Sequence, residues 1–232
     1  SKEDSYKHIE AGAKKVIVSA PCKEADQTVV YGVNEKNISK KDKVISVASC
    51  TTNCLAPLAH VIHKNFKIEK GYMTTIHSYT TDQRLLDNSH KDLRRARSAP
   101  NAMVPTSTGA AKSLKLIIPE LAGKIDGLSV RVPTPNVSLV QLSFNSKKKM
   151  NEKLINDALT KASKTYLKNV LGVETMPLVS SDFNHDSRSS IVDAGLTKVI
   201  SDNFATVFSW YDNEWGFSNR MIDVALTLKN KL

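Results

Sequence analysis

A β-branched run, Lys43-Val44-Ile45-Ser46-Val47, passes through Ala48-Ser49-Cys50-Thr51-Thr52-Asn53-Cys54-Leu55 into a helix-like stretch that reaches Phe66. A strand that turns directly into a helix commits this part of the chain to layered α/β packing. It also sets one thiol, Cys50, at the helix N-terminus. Unpaired backbone N–H groups and the positive end of the macrodipole favour a thiolate there. In such a position a cysteine pKa can fall from about 8.5 to between ~3.5 and ~7.5, and the thiolate is the nucleophile. An ordinary buried cysteine is the alternative, but Ser49, Thr51, Thr52 and Asn53 make a poor apolar pocket. Cys50 is therefore the candidate nucleophile, with a lowered pKa expected.

At 232 residues and 41% hydrophobic content, the chain can bury a core in one large domain or two small ones. No apolar run has membrane-spanning length and no secretory signal is present, so a cytoplasmic protein off the membrane is expected. Three cysteines, an odd number, argue against a disulfide framework and fit a reducing compartment. The net charge of +10 suits nucleic acid or anionic metabolites. Aromatics make up only 6% and none interleave a basic stretch for base stacking, so nucleic acid is not the expected partner.

Ser1 opens inside a helical pattern with Tyr6, Ile9 and Ala13 as its stripe, which reads as a chain entered partway through a domain. Lys15 to Ala20 is a continuous apolar strand of the kind buried on both faces of a parallel sheet. Pro21 stops it, Thr28 to Val33 forms a second short strand, and Val44 to Ala48 a third. This alternation predicts the tail of a doubly wound, Rossmann-like α/β unit. No G-x-G-x-x-G occurs in the chain, so that pyrophosphate cradle is missing. Beyond Cys50, helices mix with hairpin-type strands: 71–80, two alternations across 128–142 broken by prolines, Leu178-Val179, Ile191 to Ala194, and Ala205 to Tyr211. Asn151 to Thr165 is a helix presenting lysines outward, and a last amphipathic helix carries Met221, Ile222, Ala225 and Leu228. The expected fold is thus α/β followed by α+β with a largely antiparallel sheet.

Several side chains admit two readings. Cys54 lies one turn after Cys50, but no further Cys or His has ligand spacing, so packing is expected and no metal. His60 and His63 read as solvated surface near a helix end. Cys22 carries no assignment, and Trp210 and Trp215 read as core aromatics. His77, in a strand, is either a satisfied structural histidine or the base a nucleophilic cysteine needs. Residues 81–106 form a long polar loop of functional or disordered type. Its Arg94, Arg95 and Arg97 are a solvated basic face or a phosphate-steering patch. Thr106-Ser107-Thr108-Gly109 opens a helix, either as an anion site or as an ordinary cap.

The octapeptide Ala48–Leu55 resembles the active-site signature of the glyceraldehyde-3-phosphate dehydrogenase family, and the likeness extends over essentially all of the chain. The chain would amount to about two-thirds of a family member, a gap of ordinary sub-domain size. The resemblance implies a glycolytic, NAD- or NADP-dependent oxidoreductase that turns glyceraldehyde 3-phosphate and inorganic phosphate into 1,3-bisphosphoglycerate through a cysteine thioester. Cys50 and His77 then stand in the catalytic positions, Ser49, Thr51, Thr108 and Gly109 around the attacking phosphate, and Thr80 and Arg131 on the substrate's own phosphate. A guanidinium suits that last task through bidentate bonds. Asn213 matches the asparagine that hydrogen-bonds the nicotinamide carboxamide, and Ser89, beside Asn88, the small polar pair of members that take NADP. Phe217 stands where many members have tyrosine.

The implied domains are 1–49, closing elements of a dinucleotide-binding domain; 50–213, catalytic; and 214–232, a helix packing back on the first. The 81–106 loop resembles one that lines a neighbouring subunit's cofactor site, which implies a homotetramer, and the 232 residues alone are expected to be inactive. Two other functions fit the same residues: an erythrose-4-phosphate dehydrogenase, or a non-catalytic RNA- or surface-binding relative.

Overall fold

The computed structural model describes residues 1–229; the last three positions of the expected C-terminal helix lie outside them. Helix α1 (Lys2–Glu10) begins on a capping box between Ser1 and Asp4. Three short strands follow, β1 (Val16–Val18), β2 (Gln27–Thr28) and β3 (Val44–Ser46), paired in parallel in the order β1-β3-β2. Only the central β3 is wholly buried. The sequence suggested burial of β1 on both faces, yet its residues are half-exposed, because it is an edge strand here. The expected strand Thr28 to Val33 is confined to Gln27–Thr28, since Val30 to Asn34 fold into a turn.

Helix α2 (Cys50–Phe66) is buried along most of its length and forms the centre of the molecule. Ser49 caps it, its Oγ accepting from the Thr52 amide at 3.1 Å. Ala48 sits at φ +56°, left-handed backbone that is costly for a residue with a Cβ. Two side chains hold that turn. Ser46 Oγ accepts from the Ala48 amide at 3.1 Å, and Asn53 Nδ2 donates to Val47 O at 2.8 Å and Ser49 O at 2.9 Å.

The large sheet contains β4 (Ile68–Ser78), β5 (Val104–Ser107), β6 (Ile125–Val132), β7 (Ser138–Ser146), β8 (Leu171–Glu174), β9 (Ser190–Ile200) and β10 (Phe204–Tyr211). Their order is β5-β6-β4-β7-β10-β9-β8. The pairs β4/β6 and β8/β9 are parallel and the other four antiparallel, so the sheet is largely antiparallel. Met73, Val140, Leu142, Phe144 and Val207 point from it into one core with α2, α3 (Ala110–Ile117) and α4 (Glu152–Lys164). Leu178-Val179 is loop rather than strand, and β8, which the sequence reading did not single out, takes that sheet edge. Helix α5 (Trp215–Lys229) lays Val224 and Leu228 on Ile45 of the small sheet and on Val29 and Val47, which directly follow β2 and β3, while Ile222 faces solvent. Among the described residues no helix is long and apolar enough to cross a membrane.

The strand-to-helix turn hangs on Asn53, so Asn53→Ala should lower unfolding free energy by about 1–3 kcal/mol by orphaning buried carbonyl oxygen. Urea denaturation checks this; an unchanged midpoint would mean that other contacts hold the turn.

Candidate active site

Cys50 starts α2 and His77 lies near the end of β4, and the fold brings them together: Sγ and Nε2 are 3.5 Å apart. Cys50 is partly exposed, whereas His77 is only 3% exposed and meets the Tyr211 ring edge-on. The register of β4 with β6 sets Arg131 directly beside His77. Arg131 Nη1 lies 2.8 Å from His77 Nδ1 and 3.0 Å from Ser78 O, and Nδ1 is itself 2.6 Å from Ser78 O.

One Nδ1 cannot both donate to the carbonyl and accept from the guanidinium. With Nδ1 bare, Arg131 donates to it and Nε2–H faces the sulfur. With Nδ1 protonated, the ring donates to Ser78 O and the Nε2 lone pair faces the sulfur. Arginine keeps its protons, so a guanidinium this close favours the first tautomer. Anything that draws Arg131 away favours the second.

The electrostatics differ from the sequence expectation for Cys50. Burial pushes its thiol above the ordinary value; the Thr51 amide and the Arg131 guanidinium pull it down without reversing the sign. A helix N-terminus lowers a thiol pKa only so far as it outweighs the lost hydration. Burial first, then the charge of Arg131, depresses His77 to about 4. At neutral pH the pair is therefore thiol and neutral imidazole, not an ion pair. Cys54, fully buried against Ser190 and Ser209, is pushed up to about 12.

The remaining candidates do not share one cavity. Ser49, Cys50 and Asn213 line one cleft of about 390 Å³, together with Ser19 and Pro21 after β1, Ala48 after β3, and Glu214, Phe217 and Met221. It opens at the carboxyl ends of parallel strands, where α/β sheets take their ligands. The buried Asn213 amide turns its oxygen to Ser138 Oγ, the donor at 2.8 Å, which leaves its N–H groups for the cleft. Asn213 thus stands in this wall as an amide donor.

Thr80 lines a second hollow of about 800 Å³ with Gln83, Arg84, Leu85 and Leu86, and Glu214 borders both. Thr80 is fastened to Gln83 Oε1, to which its amide and hydroxyl donate at 2.9 and 3.1 Å. Thr51 turns its hydroxyl inward, 2.9 Å from the buried Tyr211 OH, which also meets Thr75 Oγ1 at 2.9 Å. Both the backbone N–H and the side chain of Thr51 also lower the Cys50 pKa, the backbone more.

Thr108 Oγ1 accepts from the Ala110 amide at 3.2 Å, and Gly109 caps α3. Among the described residues no hydrogen bond joins either of them to Cys50. Ser89 stands apart on an exposed loop, where its carbonyl accepts from Arg84.

The 81–106 loop is more ordered than its composition suggests. Val104–Ser107 is strand, and Arg95 pairs with Asp82 and Asp92 and donates from Nε to Thr106 Oγ1 at 2.7 Å. Arg97 pairs with Asp87. Two of the three clustered arginines are thus engaged within the loop. His60 and His63 are half-buried beside Glu120 rather than solvated, and Trp215 is 48% exposed rather than core. Sequence reasoning missed Tyr211 and Ser138, because nothing local marks a residue whose partners lie on other elements, and it also missed Gln83, whose partner Thr80 is three residues away, and Glu214, which borders both hollows.

Comparison with known proteins follows the same lines. Residues 49–213 match the family model described as "Glyceraldehyde 3-phosphate dehydrogenase, C-terminal domain". The chain belongs to the glyceraldehyde-3-phosphate dehydrogenase family. The proteins of that name from Cereibacter sphaeroides and Geobacillus stearothermophilus are 54% and 53% identical to it. The matches cover 98% and 99% of this chain and 68% and 69% of those proteins. Among the described residues no group of three or more His, Cys, Asp and Glu side chains could hold a metal ion.

The folded His77 pKa lies below the unfolded value of 6.5, so between pH 6.5 and 4 the unfolded chain binds more protons. Stability should fall across that window as pH drops, by up to roughly 3 kcal/mol at pH 4, and His77→Gln should flatten the fall. Denaturation midpoints against pH, with the His77 ring followed by NMR, test this; a ring titrating near 6.5 would contradict it. Alkylation of Cys50 by iodoacetamide should likewise rise with a midpoint above the ordinary thiol range; a midpoint near 6 would mean a thiolate at rest.

Proposed function

We propose that this chain carries the catalytic half of a phosphorylating glyceraldehyde-3-phosphate dehydrogenase. The observation that supports it most is the 3.5 Å approach of Cys50 Sγ to a buried, neutral His77 beside the Arg131 guanidinium. Residues 50–213 are the catalytic domain in this reading. The small sheet of 1–49 and the helix from 214 belong to the dinucleotide-binding domain and form the nicotinamide side of the cleft.

Catalysis begins with recognition at a distance. The substrate's phosphate draws the Arg131 guanidinium, with Thr80 as a second ligand, and so fixes the aldehyde over the sulfur. Arg131 then leaves Nδ1, which donates to Ser78 O, and the Nε2 lone pair is turned to the thiol. As the S–C bond forms, the thiol proton passes to Nε2 and is handed to the carbonyl oxygen, giving a hemithioacetal. His77 next takes the hydroxyl proton while the C–H bond breaks, and a thioester remains on Cys50. A bound NAD or NADP would supply the hydride acceptor for that step, and Asn213 would hold its nicotinamide.

Inorganic phosphate near Ser49, the Thr51 amide, Thr108 and Gly109 attacks the thioester. The C–S bond breaks, the acyl phosphate leaves, and Cys50 recovers its proton from His77. A thiol is needed because a thioester keeps its carbonyl open to the weak phosphate nucleophile. The exposed Leu85, Leu86, Leu93 and Met103 on the 81–106 loop support an oligomer, which we take to be a tetramer.

The acyl half of this chemistry needs no cofactor, so p-nitrophenyl acetate tests it directly. It should acylate Cys50 with release of p-nitrophenolate, and inorganic phosphate should speed deacylation and yield acetyl phosphate. Cys50→Ser should abolish the reaction, and, once inorganic phosphate draws Arg131 from Nδ1, His77→Asn should slow it about 10²–10⁴-fold. Acylation at an undiminished rate in Cys50→Ser would overturn the assignment.

A further inference from the structure

We propose that Ser138 is a positioning residue that fixes two parts of the site through one hydroxyl: the β4 end that carries His77, and the Asn213 amide. The second half of this rests on the reading of Asn213 as a cofactor ligand; the first does not.

Ser138 is 2% exposed and opens β7, antiparallel to β4. The β4–β7 register is paired as far as Ile76 and Leu139. Beyond it Val137 turns to φ +68°, and left-handed backbone at a valine breaks the ladder. The Ser78 amide, next to His77, donates instead to Ser138 Oγ at 3.1 Å, and Ser78 Oγ donates to Val137 O at 2.9 Å. A side chain thus completes the strand at the point where the site begins.

A serine hydroxyl has a single proton. Because Oγ accepts from the Ser78 amide, that proton is free to go to Asn213 Oδ1, 2.8 Å away. This orients the Asn213 amide. Its oxygen is engaged and its NH2 is turned away from Ser138, where Glu214 Oε1 at 3.4 Å is a weak acceptor. Asn213 is therefore presented to the cleft as a donor, which matches an acceptor oxygen on the ligand and mismatches an amide nitrogen.

The same β6–β7 loop grips the preceding residue. Asn136 Nδ2 donates to Asp212 Oδ2 at 2.9 Å, while Asp212 Oδ1 accepts from the Glu214 and Trp215 amides at the start of α5. Asn213 is thus held on both sides by a loop that also holds the end of the His77 strand. The carbonyl beside His77 Nδ1 belongs to Ser78, so the hydroxyl that anchors Ser78 bears on the base as well.

The test uses the whole chain and compares Ser138→Ala, Ser138→Cys and Ser138→Thr by NMR. Loss of the hydroxyl should speed exchange of the Ser78 amide at least tenfold, shift the Asn213 side-chain NH2 signals and move the His77 titration midpoint. Ser138→Thr, which keeps the hydroxyl, should restore all three. If the alanine variant fails to fold, the cysteine variant, close in size but a poor hydrogen-bonding partner, gives the same readouts. Unchanged Ser78 and Asn213 signals in a folded variant without the hydroxyl would overturn the proposal.

Titration with nicotinamide mononucleotide separates this inference from the reading beneath it. Binding should weaken about tenfold in Ser138→Ala, and also in Asn213→Asp, which keeps the acceptor for Ser138 but has no N–H. If Asn213→Asp binds like the parent, or the parent does not bind, the ligand reading of Asn213 falls and the coupling to His77 stands on the spectra. If Asn213→Asp weakens binding and Ser138→Ala does not, the orienting role of Ser138 falls.

Discussion

The side chain of Asn53 governs where the sulfur stands. It donates to the last carbonyl of the β3 turn and to the Ser49 carbonyl at the head of α2, across a residue in left-handed backbone. Without that bridge the Val47 carbonyl would have no partner in a region that excludes water, whereas Ser49 O would keep the Asn53 amide. Because α2 is packed against the large sheet, α3 and α4, the bridge fixes Cys50 relative to β4, and so to His77. The geometry of the candidate site follows from a junction outside the chemistry.

Burial then sets the electrostatics. The environment that positions Cys50 and His77 also strips their hydration, so both neutral forms are favoured: the thiol is raised and the imidazole lowered. A site of this kind holds its charge in Arg131 rather than in its nucleophile. That gives the guanidinium two tasks. It lies beside Nδ1 and Ser78 O at rest, and it is the natural ligand for an incoming phosphate. In the reaction proposed above, substrate binding and the proton placement on His77 would be linked through this one side chain.

The division of the fold into two sheets bears on ligand placement. The small parallel sheet and α5 form one wall of the cleft, and the start of α2 the other, with Asn213 at the hinge between β10 and α5. The residues lining that cleft run from 19 to 221, so it is built by the contact between layers rather than by any one motif. The hydroxyl network through Ser78, Ser138 and Asn213 crosses the same boundary.

Much of this was legible in the sequence. The strand-to-helix junction, the parallel start, the largely antiparallel remainder and the thiol of Cys50 at a helix start carry local signals, because periodicity and capping chemistry are properties of neighbouring residues, whereas His77, Arg131 and Asn213 stood out only through their resemblance to a family's motifs. Tertiary structure alone decided the rest. It reversed the expected shift of Cys50, turned the Thr51 hydroxyl inward to Tyr211, exposed Trp215 and engaged Arg95 and Arg97 within their loop. Each of these depends on what lies across a strand pair or under a layer. Burial and partner distance belong to the packed chain, whereas the order of residues sets only which groups are available to be buried.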